Sequence, residues 1–333
     1  MNSLLKKITG NNIDASKENY SHLSILKHST AKTSTASDSL EKRKKRRSIR
    51  FIADTIIDKL YYDSYFKTNY DIINIIRNKT SKGVLLVKSM NDNNKYICKI
   101  RNLSDDVDNE IDIHNILNHK FNNNVAFYKE YKRESDYVYF ITEYIDGNDL
   151  YKCTKKKTIC ASNIENITIQ IAKGLLFLHQ NNILHNDLKL DNIMMDKNNV
   201  IKIIDFDLSK VCEKREYISS SIFGTPRYIA PESYDLNIYS IETDLWAVGV
   251  ILYVIITTKF PININMPIDH SYSNLNRRNF FKHIDKEIIT ECIQTKSINN
   301  KFYDILTSLL NFNGTERMTL DKIINNLKST NRY

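Results

Sequence analysis

The hydrophobic pattern of this chain changes its period near Gly147, and that change constrains the fold more than any other feature. Before it, residues 70–76, 84–87, 95–100, 125–131 and 137–144 are short runs rich in β-branched and aromatic side chains, the pattern of strands. One segment among them, 108–119, repeats apolar residues at helical spacing, with Ile111 and Leu117 on one face. After Gly147 the spacing is helical over 162–180, 243–258, 282–293, 300–310 and 320–327. A strand-rich stretch of about 75 residues followed by a helix-rich stretch of about 185 predicts an α+β chain in two lobes.

Composition narrows the class further. The 333 residues are 41% hydrophobic and 26% charged, a globular balance. Only 7 are Gly and 4 are Pro, which excludes collagen-like, Gly/Ser-linker and proline-rich architectures. The formal charge is +9, but residues 1–65 hold 13 basic and 7 acidic side chains, so the body is nearly neutral. A basic nucleic-acid-binding face on the fold itself is therefore not expected. Residues 1–50, rich in Ser, Thr, Lys and Asn, read as a disordered tail. Residues 51–69 read as an N-terminal extension with helical spacing. The basic run 42–47 is compatible with a solvated charge run, an import receptor, an acidic partner, or a flank that makes Ser48 a phosphate acceptor. The five cysteines (98, 153, 160, 212 and 292) are odd in number and lack C-x-x-C spacing, which suggests neither a disulfide framework nor a zinc site. A reducing intracellular compartment, cytoplasmic or nuclear, is expected. The N-terminus lacks the apolar core of a signal peptide, and the longest apolar run, 246–256, is about half a membrane span.

The chemistry concentrates in Leu184-His185-Asn186-Asp187-Leu188-Lys189-Leu190-Asp191-Asn192-Ile193. An Asp, a Lys two residues on and an Asn five residues on form a polar cluster in apolar surroundings, and Asp205 follows eighteen residues after Asp187. Two acids and an amide in such a setting suit the positioning of a hydroxyl nucleophile. They also suit oxygen ligation of a hard cation such as Mg²⁺.

Over roughly residues 70–330 the chain resembles the eukaryotic-type protein kinase family, with its motifs in order. The resemblance implies a bilobal kinase-like fold, with residues 70–146 as a small antiparallel β-rich N-lobe carrying helix C. Residues 147–333 would form a larger helical C-lobe. It implies Asp187 as the base for the substrate hydroxyl, Lys189 as the cation beside the transferred phosphoryl group, and Asn192 and Asp205 as metal ligands. Tyr96-Ile97-Cys98-Lys99-Ile100 looks like the third-strand motif, so Lys99 would contact the nucleotide phosphates and Glu110 would pair with it. Thr142 falls at the gatekeeper position. Glu143 and Ile145 would meet adenine through their backbone, Asp149 would contact ribose, and Val84, Ile97 and Met194 would line the adenine slot. Gly224-Thr225-Pro226-Arg227-Tyr228-Ile229-Ala230-Pro231-Glu232 looks like the end of an activation segment. Asp244 matches the acid that supports the catalytic loop, and Arg317 the arginine that pairs with Glu232. Lys189 and Thr225 imply Ser/Thr rather than Tyr specificity.

Four features depart from the family pattern. The glycine-loop positions fall on Arg77, Lys79 and Lys82, which keep backbone N–H donors but change the loop's shape, and the two lysines add charge near the phosphates. Ile97 stands where alanine is usual and narrows the slot. Asp207 stands where glycine closes the Asp-Phe-Gly motif. Asn186 replaces the arginine that clamps an activation-segment phosphate. The implied function is a Ser/Thr protein kinase using ATP and Mg²⁺ (or Mn²⁺) on protein hydroxyls, not dependent on phosphorylation at Ser219, Ser220 or Ser221. The alternatives are a pseudokinase acting as a binding or scaffold module, and an adaptor that docks on nucleic acid through the basic tail.

Overall fold

The structure is a computed structural model that describes residues 56–60, 62–79, 81–103, 107–261 and 286–328. The basic run 42–47 and the rest of the tail lie outside the described residues. Five strands form one antiparallel sheet: β1 (Tyr70–Asn78), β2 (Lys82–Ser89), β3 (Lys95–Asn102), β4 (Tyr128–Arg133) and β5 (Tyr137–Glu143), in the order β1-β2-β3-β5-β4. Because side chains alternate across a strand, β2 and β3 each present two distinct faces. Leu85, Val87, Tyr96, Cys98 and Ile100 enter one buried cluster with Tyr139 and Ile141 of β5. Val84, Ile97, Lys99 and Arg101 therefore share the opposite face, where the functional groups gather.

The outer face of this sheet is covered by the segment that precedes it. Expected as one short helix, the extension shows two among its described residues, α1 (Ile56–Leu60) and α2 (Ser64–Asn69). The break falls at Asp63, whose carboxylate caps α2 by accepting from Phe66 N–H at 2.9 Å and also accepts from Tyr137 OH at 3.0 Å. Lys132 adds an ion pair at 3.3 Å. These bonds hold the Asp63 carboxyl below the usual range despite its burial. Ile57, Leu60 and Phe66 complete the outer cluster, with Phe66 edge-on to Tyr139 at 5.4 Å.

Helix α3 (Asp108–Leu117) lies between β3 and β4 in the chain. The strand expected at 125–131 begins only at Tyr128. Val125 instead bridges to Ile203, and the backbone bonds Ala126 N–H to Ile203 O and Ile203 N–H to Asn124 O draw residues 124–126 into the helical lobe. That lobe is built on α5 (Ala161–Gln180) and α7 (Ile241–Thr257), preceded by α4 (Leu150–Lys155) and α6 (Pro231–Leu236). It ends with α8 (Lys286–Thr295), α9 (Lys301–Leu309) and α10 (Leu320–Lys328). Nearly every α7 side chain is buried, which marks a central core helix.

Short strands between β5 and α7, too brief for a periodic signal, carry the loops of interest. They are β6 (Gly147–Asp149), β7 (Ile183–Leu184), β8 (Ile193–Asp196), β9 (Ile201–Ile203), β10 (Lys210–Val211), β11 (Glu216–Ile218) and β12 (Ile238–Ser240). They pair as β6-β8-β9, β7-β10 and β11-β12. Gly147 is required where β6 passes β8, because a Cβ there would lie 2.0 Å from the Met195 carbonyl oxygen. All five cysteines are free thiols. Among the described residues no helix is long and apolar enough to cross a membrane.

Candidate active site

The loop between β7 and β8 carries Asp187, Lys189 and Asn192. Its backbone is held from below by Asp244 at the start of α7. One carboxylate oxygen accepts from His185 N–H and the other from Asn186 N–H, both at 2.9 Å, and His179 Nε2 approaches at 2.9 Å. Burial would raise the Asp244 carboxyl, but these hydrogen bonds and the nearby imidazoles hold it below the usual range.

On this support the functional side chains converge. Lys189 Nζ donates to Asp187 Oδ2 at 2.6 Å and to Thr225 Oγ1 at 2.9 Å, while Thr225 Oγ1 donates to Asp187 Oδ1 at 2.6 Å. Asn192 lies in a 3-10 turn (Leu190–Asn192) and uses its amide N–H on the Asp187 carbonyl at 2.9 Å and on the carboxylate at 3.3 Å. With its donor so committed, its amide oxygen remains the acceptor. Ile204 N–H donates to Asn192 O at 2.9 Å, which brings Asp205 alongside.

Asp205 adopts a left-handed backbone, φ 70°, uncommon for a residue with a Cβ. Its Oδ1 accepts from Lys99 Nζ at 2.6 Å. Burial opposes ionisation, but Lys99, helped by Arg101 and His185, holds the carboxyl well below the usual range. Phe206 is buried between the His185 ring, 5.5 Å away, and the Tyr128 ring, 6.0 Å away.

Lys99 is thus drawn to Asp205 more closely than to Glu110, which lies 4.0 Å away. Glu110, on α3, has other partners: Tyr128 OH at 3.0 Å and Arg101 Nη2 at 3.3 Å. Arg101 also meets the carboxylate of Asp207 directly. Asp207 lies 3.6 Å from Lys99 and 3.8 Å from Lys82. Arg101 was not among the expected site residues. The signal was available, because a charged residue two places after Lys99 in a strand must share its face, and Asp207 offers the opposite charge.

The remaining expected residues lie on β2, β3, β5, β6 and β8 and on the connection from β5 to β6. Ile97 is paired in register with Leu86 and Thr142, and Val84 with Lys99. Glu143 closes β5; its N–H donates to Phe127 O at 3.0 Å and its carboxylate pairs with Lys202 at 3.0 Å. Ile145 is buried, and its carbonyl accepts from Gly147 N–H at 2.9 Å. Met194 faces Asp149 across β8 and β6. Asp149 is the N-cap of α4, accepting from Lys152 N–H at 2.7 Å and pairing with Lys152 Nζ at 2.8 Å. Where a glycine-rich loop was absent from the sequence, β1 and β2 form a tight hairpin closed by Lys79 N–H to Lys82 O at 2.9 Å. Two bulges interrupt the β1 register at 72–74 and 75–77.

The donor set suits a hard divalent cation: Asp205 is held ionised and Asn192 presents an amide oxygen, both oxygen ligands. Among the described residues no group of three or more His, Cys, Asp or Glu side chains is placed to hold a metal ion by itself.

Comparison with known proteins gives the family of the chain. Residues 71–327 match the protein kinase domain family. The chain is 27% identical over 225 residues to serine/threonine-protein kinase PLK4 of Drosophila grimshawi, covering 67% of this chain and 27% of that one. It is 37% identical over 171 residues to myosin light chain kinase 3 of Rattus norvegicus, covering 50% and 21%. It is 31% identical over 191 residues to serine/threonine-protein kinase Nek4 of Mus musculus, covering 54% and 24%. The matched region spans between a fifth and about a quarter of the length of these relatives. A match that runs from the first strand of the sheet to the last described helix makes this chain a member of the protein kinase family.

Proposed function

We propose that the chain is an active serine/threonine protein kinase that uses Mg-ATP. The observation that carries this reading is the Asp187 carboxylate, bonded at 2.6 Å both to Lys189 Nζ and to the Thr225 hydroxyl, on a loop anchored by Asp244. The Thr225 bond supports the view that Asp187 Oδ1 is open to an aliphatic hydroxyl and competent to accept its proton. Lys189, between Asp187 and Thr225, is the cation nearest the point where that hydroxyl would react. Bound Mg-ATP supplies the phosphoryl group and a cation that neutralises its charge. Asp205 and Asn192 would hold the cation, and Lys99 and Lys82 would face the phosphates. Since phosphoryl transfer depends mostly on positioning and charge neutralisation, these groups suffice without a glycine-rich loop.

Independence from activation-segment phosphorylation is part of the proposal. Asn186 donates its Nδ2 to Leu208 O at 2.9 Å and to Tyr217 OH at 3.1 Å, so the place of a phosphate clamp is taken by neutral contacts. The acceptor class, a Ser or Thr hydroxyl, follows from Lys189 and Thr225.

The test is transfer of label from γ-labelled ATP to a generic basic acceptor with Mg²⁺, beside an Asp187→Asn control. Transfer by the wild type, reduced in the variant by at least about a hundredfold, is expected. A chain that neither transfers label nor shifts its melting temperature with ATP is a pseudokinase, and the proposal fails.

A further inference from the structure

The site face of β3 carries a second cation beyond Lys99, and the roles set out above leave it unused. We propose that Arg101 is a positioning residue: its guanidinium joins α3 to the start of the activation segment by bridging Glu110 and Asp207. The role deepens the kinase reading and rests on it.

Three observations lead there. First, Arg101 is buried, 5% exposed, where an arginine is costly unless paired. Its partners are carboxylates from two different elements, Glu110 of α3 at 3.3 Å and Asp207, with which it is in direct contact. Second, Glu110 needs it. The Glu110 side chain is 3% exposed, and Lys99, 4.0 Å away, is engaged at 2.6 Å with Asp205. Arg101 is therefore the closer cation to Glu110. Third, Asp207 needs it too. An acid two residues after Asp205 places a second negative charge beside one that is already ionised, and like charges in a half-buried site repel. Arg101 and Lys99, with Lys82 beyond, compensate that charge.

The two residues thus explain each other. Asp207 without Arg101 leaves two carboxylates short of a counter-charge, and Arg101 without Asp207 keeps only Glu110. A glycine at 207 would leave the segment free to swing about a permissive backbone point. Asp207 instead ties it by charge to the same guanidinium that holds α3. The consequence is a helix and a segment that move together, with Glu110, Lys99 and Asp205 kept in one arrangement.

The test is a double-mutant cycle read by amide hydrogen exchange in α3 and by kcat and KM for ATP. The variants are Arg101→Met, which keeps the apolar stem, Asp207→Gly, and both together. Arg101→Met is expected to speed α3 exchange by about tenfold or more and to lower kcat, because it strands Glu110 and Asp207 together. Asp207→Gly alone is expected to have the smaller effect on exchange. In the double variant the repelling carboxylate is gone, so exchange and kcat should both move back toward wild type. If Arg101→Met folds poorly, Arg101→Lys with and without Asp207→Gly completes the same cycle. Unchanged α3 exchange on loss of Arg101 overturns the proposal, as does a double variant no better than the single, the result of a plain packing loss. If the wild type transfers no phosphate, the kinase reading falls, while the exchange cycle still decides the role of Arg101.

Discussion

His114 follows Glu110 by one turn of α3 and is buried between the rings of Tyr128 and Tyr131, 5.3 and 4.8 Å away. Burial lowers its imidazole below the ordinary value of about 6.5, while Asn115, Glu110 and Glu130 pull it up and His119 pushes it down. The folded chain therefore binds the proton less readily than the unfolded chain does. The stabilisation from a neutral His114 is fully present above about pH 6.5 and is lost as pH falls through the folded-state value. A His114→Leu variant is expected to lose less of its urea midpoint between about pH 7.5 and 5.5 than wild type does. An equal loss in both would place the titrating group elsewhere. The same scale explains why Asp205 and Asn186 hold left-handed backbones, φ 70° and 63°: each is fixed by side-chain bonds, to Lys99 and to Leu208 and Tyr217, that an apolar residue could not make.

At the scale of elements, the activation segment is held by structure of its own. β11 pairs with β12, and Ser219 N–H donates to Asn237 O at 2.9 Å. Tyr217 and Phe223 both stack on Tyr239, with centroids 5.6 and 4.1 Å away, and the Tyr239 hydroxyl bonds both the N–H and the C=O of Phe223 at 2.8 Å. Gly224 follows with φ 103°, a conformation that favours glycine, and passes close to the Asn186 carbonyl. On the proposal above, a segment tied in this way would hold its place without a phosphate. Replacing Ser219, Ser220 and Ser221 together by Ala is expected to leave transfer within about threefold of wild type, whereas Tyr239→Ala, which removes the central ring, should lower it by tenfold or more. Complete loss in the triple variant would show that a phosphoserine is needed after all.

On the scale of the whole molecule, Arg317 joins distant parts of the helical lobe. Its fork meets both carboxylate oxygens of Glu232 at 2.5 and 2.8 Å, and it also donates to Glu242 O at 2.7 Å and to Asn311 O at 3.0 Å. One buried side chain thus connects α6, the start of α7 and the turn after α9. Arg317→Ala should destabilise the fold by about 3–5 kcal/mol, because Glu232 and two carbonyls lose their donor. Arg317→Lys should recover only part of this, since an ammonium cannot reproduce the fork. Denaturant unfolding measures both, and a cost under about 1 kcal/mol for the alanine variant would contradict the role assigned to the pair.

Sequence alone determined the order of the five sheet strands and the longer helices and the spacing of Lys99, Glu110, Asp187, Asn192 and Asp205, because periodicity and motif spacing are local properties. It was least informative where pairing is non-local. Strands β6 to β12 have two to four residues each and exist only because a distant segment lies beside them. Residues 125 and 126 read as strand but bond to Ile203 instead of continuing β4, and Phe127 O accepts from Glu143 N–H. The partner of each charge was likewise decided by tertiary structure. Lys99 is closest to Asp205, Glu110 is shared with Arg101 and Tyr128, and Asp207 meets Arg101. Coulomb energy depends on distance and burial, and neither is set until the sheet, α3 and the activation segment have packed together.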